Sequence, residues 1–172
     1  MPTTPPSTAE IEAVPCPRCR RAFAVRAPRE GVLERLLSLG YVYPFRCQLC
    51  RHRYRALRWG VRYQRQNRRQ FERLPTQMPV KLIWGDQEGS GLVSELSIAG
   101  ATVETDQPIP VGQSVQLSFR SSGEDVEVTV DVSMIRSRRA GEVGVEFTEV
   151  SREHEERLAQ LVRDLLERMK RA

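Results

Sequence analysis

The sequence predicts a mainly β protein: a small four-cysteine module, then a six-stranded antiparallel barrel closed by a C-terminal helix. Three observations carry this. Two CxxC pairs, "CPRC" and "CQLC", stand 27 residues apart in the N-terminal third. From residue 76 onward, six short runs rich in Val, Ile and aromatics follow one another with turn compositions between them. A single amphipathic helical pattern then ends the chain.

Residues 1–14, in "MPTTPPSTAEIEAVP", are dominated by Pro, Thr and Ser and predict a disordered tail. The stretch has no basic n-region and no apolar h-region, so it does not read as a signal peptide. Nowhere does the chain approach the ~20 apolar residues that span a bilayer. The expectation is a cytoplasmic protein without a membrane span. There, four cysteines are thiols or metal ligands rather than disulfides.

Charge divides the chain. Residues 15–58 carry eleven Arg against Glu30 and Glu34, a net of +9, whereas residues 74–172 are net −6. Two modules with different partners fit that asymmetry.

Residues 15–58 form the first module. Cys16 and Cys19, with Cys47 and Cys50, place two thiolates on each of two tight turns. Two such turns close a tetrahedral four-thiolate site, the usual structural zinc geometry, with no position open for water. One zinc per chain is expected, and it would supply folding energy that about 45 residues cannot supply alone. A redox role for one CxxC is the alternative. Between the pairs, "EGVLERLLSLG" predicts a helix from its Val32, Leu33, Leu36, Leu37 and Leu39 spacing, with Gly40 as the stop. "RAFAVRA" and "HRYRALR" read as strands. The run "GVLERLLSLGYVYPFRCQLC" resembles a bacterial zinc-ribbon-like module. Such knuckles favour Gly after the second Cys of each pair, where Arg20 and Arg51 stand here.

Residues 59–75 are a linker and an arginine-rich loop, "RRQFERLP", whose charges fall on every face and whose Pro75 stops a helix. Flexible cationic loops of this kind hold an anion or remain solvated. The arginines of the first module, with Tyr54, Trp59 and Tyr63 nearby, suit phosphate contact and base stacking, an acidic protein, or plain solvation.

Residues 76–172 supply the barrel. The strands are read from "MPVKLIW", "GLVSELS", "GATVET", "SVQLSF", "VEVTVDVSMI" and "GEVGVEF". "GDQEGS", "DQPIPVGQ", "RSSGED" and "RSRRAGE" read as turns. Ser151 can cap the final helix, with Glu153, Glu155 and Glu156 near its start and Lys170 and Arg171 at its end. Leu158, Leu161, Val162, Leu165, Leu166 and Met169 make one apolar stripe.

An arginine loop, a six-stranded barrel and a helix, in that order, resemble the PilZ domain, a bacterial receptor for cyclic di-GMP. Its RxxxR motif appears as "RQFER", giving Arg69 and Arg73, and its (D/N)xSxxG motif as "ELSIAG", giving Glu95, Ser97 and Gly100. The resemblance covers residues 66–172. It implies that Arg69 and Arg73, with Arg68 as an accessory, hold the phosphates and guanines of the ligand. It implies further that residue 95 and Ser97 meet a guanine edge, and that Gly100 lets the backbone pass closely under the base. Guanidinium chemistry suits this, because one flat fork binds phosphate, donates to guanine and stacks on it. The family has Asp or Asn where this chain has Glu95.

The expected function is a non-enzymatic cyclic di-GMP sensor in which ligand orders the arginine-rich loop. The rival is a ligand-free adaptor whose basic zinc module binds an acidic protein partner or nucleic acid. His52 and His154 are the two histidines, and neither lies beside a nucleophile or acid pattern.

Overall fold

A computed structural model describes residues 14–61, 70–120 and 127–171. The chain divides into two compact units, residues 1–72 and 73–172. The first contains β1 (Ala24–Arg26), α1 (Gly31–Leu39), β2 (Val42–Cys47) and β3 (Arg53–Leu57). Its strands form an antiparallel sheet in the order β1-β2-β3, with Ala24 opposite Cys47 and Val42 opposite Leu57. Val14, Ala24, Tyr43 and Phe45 make its small apolar core, with Tyr54 and Ala56 packed against it. Tyr54 also donates its hydroxyl to the Val14 carbonyl at 2.9 Å, which ties residue 14 to β3.

Helix α1 forms where its leucine spacing predicts and stops at Gly40, whose N–H donates to the Leu37 carbonyl. Yet the apolar positions that mark it in the sequence are not the ones it buries. Its buried residue is Glu34. The Glu34 carboxylate accepts from Arg53 at 2.6 Å and from the Glu30 N–H at 2.7 Å, and Arg55 lies 3.3 Å away. Arg53 also reaches Glu30 and the Pro28 carbonyl. A buried carboxylate is tolerated only when so enclosed. Burial by itself would raise the Glu34 pKa, but the Glu30 N–H, Arg53 and Arg55 outweigh it and hold the carboxyl below its ordinary range.

The second unit contains β4 (Leu74–Trp84), β5 (Gln87–Ser97), β6 (Gly100–Glu104), β7 (Ser114–Arg120), β8 (Glu127–Arg139), β9 (Glu142–Glu149) and α2 (Arg152–Arg171). Six antiparallel strands close a barrel in the order β4-β5-β6-β9-β8-β7, with Leu82 opposite Leu117 at the closing pair. All six predicted runs are strands, and β4, β5 and β8 each extend four residues beyond one end of their runs. Trp84 pairs with Gln87 and Arg139 with Glu142, so two residues suffice for each turn. The left-handed backbone of Gly85 and Gly141 permits such tight hairpins. Pro75 is accommodated because the register shifts between Pro75 and Met78. Alternation along β4 turns Leu74, Met78, Val80, Leu82 and Trp84 inward.

The predicted stripe of α2 resolves into two rows. Leu158, Val162 and Leu166 are buried. Leu161, Leu165 and Met169 are half-buried and, with Pro75 and Met78, line a groove of about 320 Å³. Ser151 accepts the Glu155 N–H at its carbonyl, and its own N–H donates to Asp131. His154 is half-buried and its Nδ1 accepts the Thr129 N–H at 3.3 Å, so it fastens the helix start to β8. Among the described residues, no helix is long and apolar enough to cross a membrane.

The Glu34 contacts generate a pH test. A depressed carboxylate pKa contributes stability that is whole above the unfolded value of about 4.3 and is lost as pH falls through the folded value. Denaturation of the first unit, followed from pH 7 to 3, is expected to show this loss. In Arg53→Ala the loss is smaller, because the pair is already weakened. At neutral pH, Arg53→Ala is expected to cost roughly 2 kcal/mol, less than a fully orphaned buried charge because Arg55 remains.

Candidate functional site

Two constellations bear chemistry. The first is the cysteine cluster. Both CxxC turns are built alike: the Cys16 N–H donates to the Arg21 carbonyl and the Cys47 N–H to the His52 carbonyl, each at 2.9 Å and each five residues on. The residue after the second cysteine of each pair, Arg20 and Arg51, has φ of 59° and 58°. The turn thus demands the left-handed conformation that glycine adopts freely, and arginine bears it at a cost of about 1–2 kcal/mol each.

These turns aim four sulfurs at one point. Cys16 and Cys50 are 3.6 Å apart, as are Cys19 and Cys47, and all four sulfurs lie within 4.8 Å of one another. A disulfide is ~2.05 Å long, so these are separate thiols. Tetrahedral coordination with metal–sulfur bonds of ~2.3 Å places sulfurs about 3.8 Å apart, close to the distances seen. The four cysteines are therefore positioned to hold a metal ion. Burial pushes the Cys47 and Cys50 thiols up in pKa. Cys16 is also buried, but the N–H groups of Cys19 and Arg18 pull it down. A cation among the sulfurs makes thiolates of all four.

The second constellation lies at one rim of the barrel, where β4 begins and β5 turns into β6. Ser97 pairs with Gly100, so only Ile98 and Ala99 make the turn, and Glu95 falls opposite Thr102. Arg73 directly precedes β4, whose Pro75 pairs with Glu95. The Arg73 guanidinium donates to Thr102 Oγ1 at 2.9 Å and to Glu95 Oε2 at 3.2 Å, while the Thr102 hydroxyl donates to the same Glu95 oxygen at 3.0 Å. Ser97 folds onto its own turn, donating to the Gly100 carbonyl at 3.0 Å and accepting the Ala99 N–H at 3.4 Å. Gly100 has a further structural reason, since a Cβ there would collide with the Val145 carbonyl oxygen of β9.

Arg73, Glu95, Ser97 and Gly100, 27 positions apart at their extremes, thus come to one rim. Arg68 and Arg69 lie outside the described residues. Thr102 belongs to this rim and no sequence motif marks it. Its signal is the hairpin register: once 97 pairs with 100, residue 95 must face 102.

The first unit reaches the same arginine-bearing segment. Gln48, inside "CQLC", is buried. Its Oε1 accepts the Glu72 N–H at 2.7 Å, and its Nε2 donates to the Gln70 carbonyl at 3.3 Å. Arg46 lies over the Phe71 ring, 5.7 Å from its centroid. Residues 70–72, between Arg69 and Arg73, are therefore clasped by the second cysteine turn.

A family model described as PilZ domain matches residues 67–164. Among solved structures, the PilZ domain of CeSA from a cellulose-synthesizing bacterium is 23% identical, with 55% of this chain and 97% of that one covered and a TM-score of 0.47. The Bacillus subtilis inhibitor of motility (MotI/DgrA) is 16% identical, with 76% of this chain and 68% of that one covered and a TM-score of 0.51. The likeness to the second structure is one of fold alone. No curated protein matches the chain.

The sulfur geometry predicts one divalent metal ion per chain by elemental analysis of protein purified without added metal. Cys47→Ser is expected to abolish it. Treatment with a strong chelator should unfold the first unit while the far-UV signature of the barrel persists; a metal-free first unit that stays folded would contradict the assignment.

Proposed function

The chain belongs to the PilZ domain family, a family of cyclic di-GMP receptors and adaptors, and on that premise we propose that it is a non-enzymatic cyclic di-GMP sensor of the bacterial cytoplasm. The observation that carries this reading is the rim itself: Arg73, Glu95, Ser97 and Gly100 converge where the family's two motifs must meet. Arg68, Arg69 and Arg73 take the phosphates and guanine faces. Glu95 and Ser97 accept from or donate to a guanine edge, and Gly100 lets the base lie close to the backbone. The metal is a structural zinc, because four thiolates close the coordination shell and leave no place for a reacting water. Ligand fixes the arginine-bearing segment, residues 65–75, and Gln48 passes that change to the cysteine turn.

A second reading, the ligand-free adaptor, has one observation in its favour. Arg73 is already engaged by Glu95 and Thr102. Magnitudes favour the sensor. Both charges of that pair are half-exposed, so the pair is worth at most about 1 kcal/mol. A charge-assisted bond to phosphate contributes about 1.5–3 kcal/mol. Ligand can displace the internal pair and still gain.

Isothermal titration with cyclic di-GMP decides between them. The parent is expected to bind, and Arg69→Ala and Arg73→Ala to lose about tenfold or more each. Glu95→Asp, which restores the family's shorter acid and slackens the grip on Arg73, is expected to bind more tightly than the parent. Absence of heat in all four proteins hands the chain to the adaptor reading. Gln48→Ala is expected to keep the parent's affinity but to lose ligand-dependent protection of residues 60–75 from proteolysis.

A further inference from the structure

Helix α1 is mounted the wrong way round for a helix of a small soluble module. Its one acidic residue, Glu34, is 3% exposed, while Val32, Leu33, Leu36 and Leu39 are 71%, 59%, 59% and 80% exposed. At 100° per residue, Leu36 lies nearly opposite Glu34, and the four apolar side chains share the outward face. The cause is on the inner side: Arg53, Arg55 and the Glu30 N–H hold the Glu34 carboxylate there and so fix the leucines outward. A helix anchored to its own module by an ion-pair cluster, with its leucines turned to solvent, is built to meet a second apolar surface.

A second observation extends that surface. Trp59 is 79% exposed and sits against Tyr41, ring centroids 4.9 Å apart, just past the end of α1. Tyr41 is held at φ 60°, a strained conformation for a bulky residue. Its carbonyl accepts the Arg58 N–H at 2.8 Å, next to Trp59. Strain of this kind persists where surrounding structure over-determines it, commonly at sites of recognition. Exposed aromatic and leucine anchors are what protein interfaces bury.

Charge selects the occupant. Charge around these leucines is one-sided: Arg35 stands on the helix itself, the module carries eleven arginines, and its two carboxylates, Glu30 and Glu34, are both bound to Arg53. A second copy would bring a +9 module against a +9 module, so like charges would meet around the rim. We infer that the outward face of α1, with Trp59, docks an acidic amphipathic segment of another protein: leucine-type side chains at its centre, carboxylates at its edges. This deepens the partner reading given above and rests on the existence of such a partner, not on dinucleotide binding by the barrel.

The test uses the full metal-loaded chain and a fluorescein-labelled helical peptide of about 20 residues, leucines along one face and glutamates flanking them. A matched peptide with lysines for glutamates is the control. Anisotropy is expected to show binding of the acidic peptide, weakened by salt and at least tenfold tighter than binding of the lysine peptide. The double variant Leu33→Ser/Leu36→Ser is expected to lose that binding tenfold or more while keeping the parent's metal content and unfolding temperature. Equal binding of both peptides, or none of the acidic one, overturns the inference. So does parent self-association that the double variant abolishes, since the face then serves a second copy. Competition by a short oligonucleotide would assign the face to nucleic acid instead. Loss of metal or of thermal stability in the double variant would make the leucines structural. None of these outcomes depends on the dinucleotide titration, so either result can fail alone.

Discussion

The convergence of four sulfurs is the constraint on which the first unit depends. A sheet of three short strands and one nine-residue helix buries too little apolar surface to hold its own shape. The cost of ordering even these residues is set against a core of a few side chains. Closing the sulfurs about one ion would fix both cysteine turns at once, including two arginines in a backbone conformation they resist. The second turn then aims Gln48 at residues 70–72. An ion held there would thus reach residues 70–72 through one turn and one side chain.

The barrel works differently. Its positioning force is register rather than a cross-link. Because Ile98 and Ala99 alone connect β5 to β6, the residues from 95 to 102 have fixed opposite numbers, and Glu95 cannot avoid Thr102. Close strand approach then excludes any side chain at Gly100, and also at Gly91, where a Cβ would stand 2.5 Å from the Glu104 carbonyl oxygen. The same sheet that shapes the rim therefore sets which residues its motif can contain. The serine and the glycine at that spacing thus serve the hairpin itself.

Much of this was legible in the sequence. Period-two alternation and turn composition mark all six barrel strands, since those signals are local. Paired CxxC spacing marks the metal cluster for the same reason. The face of α1 was not legible. Leucine periodicity says that a helix forms and is silent on which side faces inward when an arginine pair from a distant strand competes for a single glutamate. Thr102 was hidden because its role comes from an opposite strand, and Gln48 because its partners lie 22 and 24 positions away. The two-row nature of α2 was hidden too, because its apolar residues form one stripe in sequence while the barrel covers only Leu158, Val162 and Leu166.

The Gln48 clasp has a consequence of its own. It is made by a neutral amide, with no titrating proton and no net charge to be screened. The contacts of the barrel rim, by contrast, run through Arg73 and Glu95 and weaken as ions are added. The Arg73–Glu95 pair is therefore open to the ionic state of the surroundings, while the Gln48 hydrogen bonds to residues 70 and 72 are insulated from it. The hydrogen-bonded hold of the second cysteine turn on residues 70–72 thus stays constant as salt is added, and the grip of Glu95 on Arg73 is what varies.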